Sequence, residues 1–358
     1  MEKKTVYISF LFLFVLPLQS LYSQTTAYKI RTISFYNVEN LFDTIDNPDT
    51  LDDDFTKNGK YKYSSKIYWD KIEKLSRVIS EIGYEKTKTS PVIVGLAEVE
   101  NRSVLEDLIH SKNLMNEQYN IVHFDSPDRR GIDVALLYKE NLFKPIDQKA
   151  FEVRLWDEYG KRIYTRDQLL VTGLLDSELI HIIVNHWPSR RGGQLISSSK
   201  REKSAYVTKQ IVERIRAEYE YPKIIIMGDF NDDPIDISIR EGLKSVGNLK
   251  KMNENILFNP MEQMFTKGFN TLGYRDGLNL FDQILLSEAC ISLDNSYEYF
   301  KFYKAGIYNP NYLITQNGRY IGYPFRTYKN ETYNKGYSDH FPVYVYLIKK
   351  SKFIIEDD

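Results

Sequence analysis

The sequence predicts one α/β domain built around a β-sandwich. Of its 358 residues, 42% are hydrophobic and 27% are charged, a balance that supports a sizeable core and is too apolar for a disordered chain. Short apolar runs typical of strands recur along the chain, separated by amphipathic segments with helical spacing. We find no internal repeat and no linker rich in Pro, Gly or Ser, and one sandwich can absorb this length as a single unit.

The N-terminus has the pattern of a secretory signal peptide. Two lysines begin it, an apolar run extends from Val6 to Leu18, and small and polar residues lead to an expected cut after Ser23. The apolar run is too short to span a membrane comfortably, and an uncleaved anchor is the alternative. We therefore expect a signal peptide at 1–23, a catalytic domain at 24–358, and a secreted or periplasmic location.

Charge and cysteine content limit the classes of function. The formal net charge is −1, whereas a protein that wraps nucleic acid non-specifically is usually basic, so any contact with nucleic acid should be local. The single cysteine, Cys290, excludes an intrachain disulfide and a cysteine-based zinc site. We interpret it as a buried thiol.

The order of the elements follows from apolar spacing. Helical periodicity predicts helices over Ser64–Gly83, from Ser103 as the cap to about His110, and over Ser199–Glu218. Apolar runs predict strands at Lys29–Asn37, Pro91–Ala97, Asn120–Phe124, Ile132–Tyr138, Leu169–Leu175, Leu179–Asn185, Lys223–Met227, Phe281–Leu286 and Phe341–Ile348. The two strands that flank residues 176–178 should form a hairpin.

One region, Tyr297–Tyr337, is crowded with tyrosine and lysine and has weak periodicity. It could be a packed surface insertion, because aromatic side chains mostly pack. It could equally stack on nucleic-acid bases or lie at a membrane interface. The sequence leaves these three interpretations open.

Polar side chains of interest lie at or beside the ends of the predicted strands. They are Asn37, Glu98, His186, Asp229 and Asp339. A strand that is buried on both faces can carry charge only at its ends, so these residues predict a site at one edge of the sandwich.

Two short motifs supply carboxylates. In Gly228-Asp229-Phe230-Asn231, the two polar side chains would point to the same side of an extended segment, and oxygen ligands of this kind suit Mg²⁺ or Mn²⁺. An ordinary Asx turn is the alternative. In Ser338-Asp339-His340, the adjacent Asp and His would face opposite ways, so each needs its own partner. A surface histidine is the alternative there.

The segment Asn185–Gly193 places a histidine before two arginines and two glycines, in the order Asn-His-Trp-Pro-Ser-Arg-Arg-Gly-Gly. Arginine forks bind phosphate oxygens bidentately, and glycines let the backbone approach closely. This predicts a phosphate-binding loop, and a solvated polar loop is the alternative.

Together these motifs resemble the endonuclease/exonuclease/phosphatase superfamily, in the order Asn37, Glu98, His186, Asp229-x-Asn231, Asp282 and Asp339-His340. That superfamily includes pancreatic-type deoxyribonucleases, apurinic-site repair endonucleases, bacterial sphingomyelinases and inositol polyphosphate 5-phosphatases. The resemblance extends from about residue 31 to residue 347, and the segment 186–193 is most similar to predicted extracellular nucleases of bacteria. It implies an α/β (α+β) fold: a four-layered sandwich of two packed mixed β-sheets flanked by helices.

The resemblance also implies a role for each matching residue. Catalysis would involve His186, Asp229, Asn231, Asp282 and His340, with Asp229 positioning or deprotonating water, Asn231 bonding to phosphate and Asp282 orienting His340. The substrate phosphate would be held by Asn37, Asn185, Arg190 and Arg191. The metal would be bound by Glu98, Asp339 and Asn37. Many relatives carry Arg or Lys before the residue matching Asp282 and Tyr or Arg after it; Phe281 and Gln283 stand here, which loosens the substrate assignment.

We therefore expect a secreted metal-dependent phosphodiesterase, above all an endonuclease that hydrolyses DNA or RNA, with Mg²⁺, Mn²⁺ or Ca²⁺ as cofactor. The alternative is a sphingomyelinase-like or sugar-phosphate phosphodiesterase or phosphatase on the same scaffold, whose partner would be a lipid head group or small phosphate ester. A catalytically dead binding module is a third class. No obligate protein partner is expected. The sequence contains neither a P-loop nor a Gly-x-Ser-x-Gly motif.

Overall fold

The computed structural model describes residues 2–3, 27–274, 277–291 and 296–351. Apart from residues 2 and 3, the expected signal peptide lies outside these ranges, and so does its cleavage site. Among the described helices, none combines the length and the apolar character needed to cross a bilayer.

Strands account for most of the regular structure in the described ranges. In chain order they are β1 (Tyr28–Leu41), β2 (Ile93–Val99), β3 (Tyr119–His123), β4 (Asp133–Lys139), β5 (Phe143–Phe151), β6 (Leu155–Trp156), β7 (Arg162–Ile163), β8 (Gln168–Leu175), β9 (Glu178–His186), β10 (Ile224–Asp229), β11 (Ser245–Val246), β12 (Leu257–Phe258), β13 (Leu272–Tyr274), β14 (Gly277–Asn279), β15 (Asp282–Leu286), β16 (Lys301–Ile307), β17 (Tyr328–Lys329), β18 (Thr332–Tyr333) and β19 (Val343–Lys350).

The helices are fewer and lie mainly between strands. They are α1 (Ser65–Glu81), α2 (Tyr84–Thr87), α3 (Arg102–Ile109), α4 (Gln194–Glu218) and α5 (Pro260–Thr266). Single helical turns occur at Asp53–Phe55, Ser238–Gly242, Leu249–Lys251, Glu288–Cys290 and Asn311–Leu313.

Two mixed sheets form the centre of the molecule. The first sheet has the order β16-β19-β1-β2-β4-β3, and the second has the order β11-β12-β15-β10-β9-β8-β5. In each sheet a parallel pair occupies the middle, β1 with β2 in the first and β9 with β10 in the second, and antiparallel partners lie on both sides.

The main core lies between the two sheets. Phe35 and Ile93 of the first sheet and Val184 and Met227 of the second are fully buried in it. A second cluster packs α1 and α3 on the outer face of the first sheet, and a third packs α4 on the outer face of the second. Helix, sheet, sheet and helix therefore form four layers, which confirms the predicted sandwich. Cys290 is a buried free thiol in the main core, as expected.

The structure differs from the sequence prediction mainly at the margins. Two edge strands, β5 and β16, were not predicted; most of their residues are exposed or half-buried, so they lack the alternation that marks a strand with one buried face. The cap of α3 is Asn101, whose side chain accepts from the Val104 amide, and not Ser103. Helix α4 begins at Gln194, five residues before the predicted start.

Candidate active site

Strand register brings the predicted polar residues together at one end of the sandwich. In the second sheet, Asp229 at the end of β10 lies beside His186 of β9 on one side and Asp282 of β15 on the other. In the first sheet, Asn37 of β1 pairs with Ala97, the residue before Glu98. The Asn37 side chain joins the sheets, because its Nδ2 donates to Asp229 Oδ2 at 3.0 Å.

Asp229 is the centre of this arrangement. It is buried, and its Oδ2 lies 3.6 Å from His186 Nε2 and 3.9 Å from His340 Nε2. Burial raises the pKa of Asp229 to about 7, a shift that Asp282 and Glu98 increase and His340 opposes. A carboxyl group that titrates near neutral pH can both accept and release a proton, as a general base requires.

His340 is paired with Asp282, the partner that the resemblance to the family implies for it. Asp282 Oδ2 lies 2.7 Å from His340 Nδ1, and both side chains are buried. Burial by itself lowers the pKa of His340, but Asp282 and then Asp229 raise it well above the usual value. The imidazolium is therefore favoured, with Nε2 directed toward Asp229.

His186 has the opposite electrostatic character. Burial lowers its pKa well below the usual value, and the nearby Arg166 and Arg130 lower it further. Its Nε2 lies 3.8 Å from Glu98 Oε1, and its buried Nδ1 has no hydrogen-bond partner among the described residues. The pKa shifts thus favour a neutral His186 and a protonated His340 on either side of the Asp229 carboxyl group.

Glu98 and Asp339 supply carboxylate oxygens at the rim. Glu98 has a left-handed backbone, with φ of 66°, and its Oε2 accepts from the Asn40 amide at 2.9 Å. Its Oε1 makes no hydrogen bond within the described part of the chain. Asp339 Oδ2 accepts from Arg326 at 2.8 Å, and its Oδ1 lies 3.9 Å from His340 Nε2.

This donor set fits a hard divalent cation that is held by few protein ligands. Mg²⁺ is usually bound through one or two carboxylates while it keeps waters and substrate phosphate oxygens. Elsewhere in the described ranges, His123, Asp125 and Asp133 place ligand atoms within 4.8 Å of one another. There His123 Nε2 already bonds Asp133 at 3.0 Å, and the Asp125 side chain is 92% exposed and therefore solvated, so the three groups need no ion.

Asn231 occupies a turn and not an extended segment. Its φ is 51°, and its amide donates to Asp229 Oδ1 at 2.9 Å, which is the Asx-turn alternative. The Asn231 side chain still reaches the site, because its Nδ2 donates to the carbonyl of Trp187, next to His186.

Asn185 does not belong to the site, which corrects the phosphate-binding role implied for it. Successive residues of a strand point to opposite faces, so Asn185 faces α4 while His186 faces the site. Its Oδ1 accepts from the Trp187 indole at 3.1 Å and from the Thr208 hydroxyl at 3.1 Å, and the residue is fully buried. Asn185 holds the helix against the second sheet.

The phosphate-binding role implied for Arg190 is also corrected, because its guanidinium is already paired with carboxylates of the protein. Its guanidinium contacts Asp232 and Asp233 at 3.2 Å each and Asp236 at 2.6 Å, and its Nε donates to the carbonyl of Asn231. It therefore fixes the turn that carries Asn231 and has no free edge for a phosphate. The adjacent Arg191 is exposed and makes no ion pair with any described carboxylate.

We expect Arg190→Ala to destabilise the fold by about 2–4 kcal/mol, because it leaves buried carboxylates without a counter-charge. The pKa of Asp233 is already raised to about 6 by burial, above about 3.9 for an unfolded chain. Loss of Arg190 raises it further. A carboxyl group whose pKa is higher in the folded protein than in the unfolded chain destabilises the fold at pH values above the folded pKa. This destabilisation disappears as the pH falls toward the pKa of the unfolded chain. The deficit should therefore be larger at pH 8 than at pH 5.

Urea unfolding of the two single variants at both pH values measures this difference. Arg191→Ala is the matched control, since it removes the same side chain from the next position without breaking an ion pair. Equal stability of the two variants would show that the Arg190 contacts do not stabilise the fold.

Sequence analysis missed a basic group beside His186. Arg166 donates to the Trp187 carbonyl at 2.6 Å and to Asp128 at 3.0 Å, and Arg130 lies 3.4 Å from the same Asp128. A signal for it was present: the Arg-Arg-Gly of residues 129–131 repeats the pattern of residues 190–192.

A second missed group lies beside Asp339. Glu39, two residues after Asn37, is buried and accepts from the Thr327 amide at 2.6 Å. Arg326 bridges Glu39 and Asp339, at 3.5 Å and 2.8 Å. Burial, and then Asp339, raise the pKa of Glu39 to about 7. No local motif marks Arg326, which comes from the irregular tyrosine-rich segment.

Comparison with family models gives a match over most of the chain. The model of the endonuclease/exonuclease/phosphatase family matches residues 32–349, which include all of the strand ends described above. The chain belongs to the endonuclease/exonuclease/phosphatase family. Enzymes of this family are divalent-metal-dependent phosphoester hydrolases and include nucleases. Comparison with curated proteins gives no significant match.

Solved structures of the family share the fold. An endonuclease/exonuclease/phosphatase family protein from Bacteroides thetaiotaomicron superposes with a TM-score of 0.53 at 15% identity, covering 91% of this chain and 97% of that chain. D. rerio TDP2 humanized by 14 mutations gives 0.52 at 14% identity, covering 89% and 98%. D. rerio TDP2 complexed with single strand DNA product gives 0.50 at 15% identity, covering 89% and 98%. At these identities the likeness concerns the fold alone.

Proposed function

We propose that this protein is an exported, metal-dependent nuclease. Export rests on the sequence pattern of the N-terminal residues, and hydrolysis rests on the catalytic residues of the family. The choice of nucleic acid as substrate rests mainly on one observation, a basic groove whose wall includes Arg166 and Arg130, the two arginines near His186.

The basic groove has a volume of about 580 Å³ and is lined by cations from several segments of the chain. They are Arg129, Arg130, Lys161, Arg162, Arg166, Arg191 and Lys200, against the carboxylates of Asp128 and Asp157. Arg129, Arg191 and Lys200 make no ion pair with any described carboxylate, so their charge is available to a ligand. In a chain of net charge −1, such a concentration of cations is the local patch that binding to a polyanion requires.

The sign of this groove distinguishes nucleic acid from sphingomyelin. A phosphodiester polymer places a negative charge on each neighbouring phosphate, so several cations can be used at once. The choline head group of sphingomyelin carries a cation, which the same surface would repel. The groove therefore favours a nuclease over a sphingomyelinase-like enzyme.

Each residue of the site would have a different role in hydrolysis. Asp229, with its pKa of about 7, would accept a proton from the attacking water. His340, held protonated by Asp282, would offset charge on the phosphate or protonate the leaving oxygen. Neutral His186 and the Asn37 amide would hydrogen-bond phosphate oxygens. A divalent cation on Glu98 and Asp339 would polarise a phosphate oxygen, and so small a set of protein ligands favours Mg²⁺ or Mn²⁺ over Ca²⁺.

A substrate panel tests the proposal. Purified protein is incubated with DNA, RNA, sphingomyelin vesicles and inositol polyphosphate, with Mg²⁺ or Mn²⁺ and with excess EDTA. We expect hydrolysis of nucleic acid that EDTA abolishes. Hydrolysis of sphingomyelin or inositol polyphosphate alone would assign the site to the alternative substrates.

Removing the unpaired cations of the groove should flatten the salt dependence of nucleic-acid binding. We expect the double variant Arg129→Ala/Arg191→Ala to raise KM for a long nucleic acid and to lower the slope of log KM against log salt by about 1–2, because each lost phosphate contact removes about one released counterion. Hydrolysis of a small phosphodiester with a single charge should change much less. Activity assays at several salt concentrations measure both effects.

A matched control removes the same number of charges from other surfaces. Lys86 and Arg214 are exposed and do not line the groove, so Lys86→Ala/Arg214→Ala should leave the slope unchanged. Equal slopes in the two double variants would contradict binding of nucleic acid in the groove.

A further inference from the structure

We infer that the tyrosine-rich segment forms a pocket for one unpaired nucleobase beside the scissile phosphate, so that the enzyme prefers single-stranded nucleic acid. This inference rests on the proposed nuclease function and names the form of substrate that the same site would accept. It is carried by a second cavity, which is distinct from the basic groove.

The cavity adjoins the proposed catalytic centre at Asp339. It has a volume of about 620 Å³ and is lined mainly by residues between Asn311 and Asn334, together with Asp339. Such a volume is typical of sites for small organic groups. Asp339 forms the connection, because its Oδ1 lies 3.9 Å from His340 Nε2 while its Oδ2 is bonded to Arg326 in the cavity wall.

The groove and the cavity reach the centre from different sides. Arg166 in the wall of the groove donates to the carbonyl of Trp187, the residue after His186, and Asp339 in the wall of the cavity lies 3.9 Å from His340 Nε2. Asp229 lies between the two histidines, 3.6 Å from one and 3.9 Å from the other. A strand whose scissile phosphate lies at Asp229 would therefore have the cavity on the His340 side of that phosphate, where Asp339 lines it.

The cavity wall has the chemistry that a base requires. Tyr320 and Tyr323 present two rings with centroids 5.6 Å apart, and Phe325 adds a third aromatic side chain. Aromatic faces stack on any base. The side-chain amide of Asn330 makes no hydrogen bond with described residues and can pair with a base edge.

The cavity wall offers one cation to an anionic ligand. Lys329 is exposed and makes no ion pair with any described carboxylate, whereas Arg326 is already paired with Glu39 and Asp339. A nucleotide, whose base is joined to phosphate, fits this balance. A choline cation fits less well, because Lys329 would repel it.

A base that enters a pocket must first leave its stack. In a duplex this costs a few kcal/mol, whereas in a single strand most of that cost is absent. The ring of Tyr323 closes the cavity against Gly273, where a Cβ would lie 2.2 Å from the ring. Tyr320 is 38% exposed at the opening, so it can be replaced without disturbing the core.

The test uses Tyr320→Ala, Tyr320→Trp and the control Tyr303→Ala, which removes an exposed tyrosine on β16 that does not line the cavity. Binding of a non-hydrolysable phosphorothioate single strand is measured by fluorescence anisotropy with Mg²⁺ present. We expect Tyr320→Ala to weaken binding about tenfold, the scale of one lost base–aromatic stack. Tyr320→Trp and Tyr303→Ala should bind as the unaltered protein does.

Two further probes identify the bound group. A strand of the same length made of abasic sugars, and a fully paired duplex, should each bind the unaltered protein and Tyr320→Ala equally. Equal binding of the single strand with bases to both proteins would overturn the inference. If Tyr320→Ala weakens only the binding of sphingomyelin vesicles, the cavity is a site for a lipid head group. That result would overturn the inference as well.

The inference and the proposed function fail in different ways. If the unaltered protein hydrolyses no nucleic acid, the nuclease proposal fails before any variant is compared. If it hydrolyses nucleic acid and Tyr320→Ala binds the single strand normally, the nuclease proposal stands and the base pocket is rejected.

Discussion

Replacing Glu98 by glutamine is expected to remove essentially all hydrolytic activity, a loss of at least about 10³-fold in kcat, because several kcal/mol of charge stabilisation depend on this carboxylate. The fold should be unchanged. The substituted glutamine would keep a carbonyl oxygen for the Asn40 amide, the contact that Glu98 Oε2 makes at 2.9 Å, and would stand on the same left-handed backbone. Initial rates at saturating Mg²⁺ or Mn²⁺ and thermal unfolding measured together separate the two properties.

Glu100→Gln is a matched control for Glu98→Gln. Glu100 lies two residues further along and is buried, and its carboxylate accepts from the Asp43 amide at 2.6 Å. Burial raises the pKa of Glu100 to about 8, so this group is mostly protonated at pH 7 and glutamine reproduces its charge. We expect the activity of Glu100→Gln to stay within a few-fold of that of the unaltered enzyme. If both variants retain activity, Glu98 is not the main metal ligand.

The central layers could be predicted from the sequence because their strands are buried on both faces. Ile224–Asp229 and Ile93–Val99 are almost wholly buried, and burial of that kind leaves a continuous apolar run. The edge strands β5 and β16 could not be predicted in this way. Their residues face solvent, where composition is free to vary, and only their hydrogen bonds to β8 and β19 define them.

The cluster of polar residues at the strand ends was predictable for a related reason. Buried strands carry charge only at their ends, and register then places Asp229 level with both His186 and Asp282. Successive side chains along β9 point to opposite faces, so Asn185 lies outside the site although it is adjacent to His186 in the sequence.

The arginine assignments needed the tertiary structure. Arg190 and Arg191 are adjacent and chemically identical, and the difference between them is set by carboxylates 42–46 residues further along the chain. Arg326 reaches Asp339 from an irregular segment without periodicity. Packing between distant segments decides which charges are paired and which are free. Spacing along the sequence does not reveal which segments pack together.

His340→Ala is expected to lower kcat on the order of 100-fold or more, the usual scale for a proton-transfer or charge-stabilising group. Asp282→Asn should cost less, about 10-fold. Asparagine keeps an oxygen near His340 Nδ1, where Asp282 Oδ2 lies at 2.7 Å, but removes the charge that favours the imidazolium. Asp282 is a positioning residue, so its whole effect should pass through His340.

A double-mutant cycle decides whether the two residues act as one unit. If they do, His340→Ala/Asp282→Asn should be no slower than His340→Ala alone, because the orienting carboxylate has nothing left to orient. Additive losses would show that Asp282 acts on the reaction by another route, for example through the pKa of Asp229, which it raises. Asp282 is fully buried and its Oδ1 has no hydrogen-bond partner among the described residues. Asparagine there should therefore not destabilise the fold by more than about 1–3 kcal/mol, and thermal unfolding of each variant separates that loss from the catalytic one.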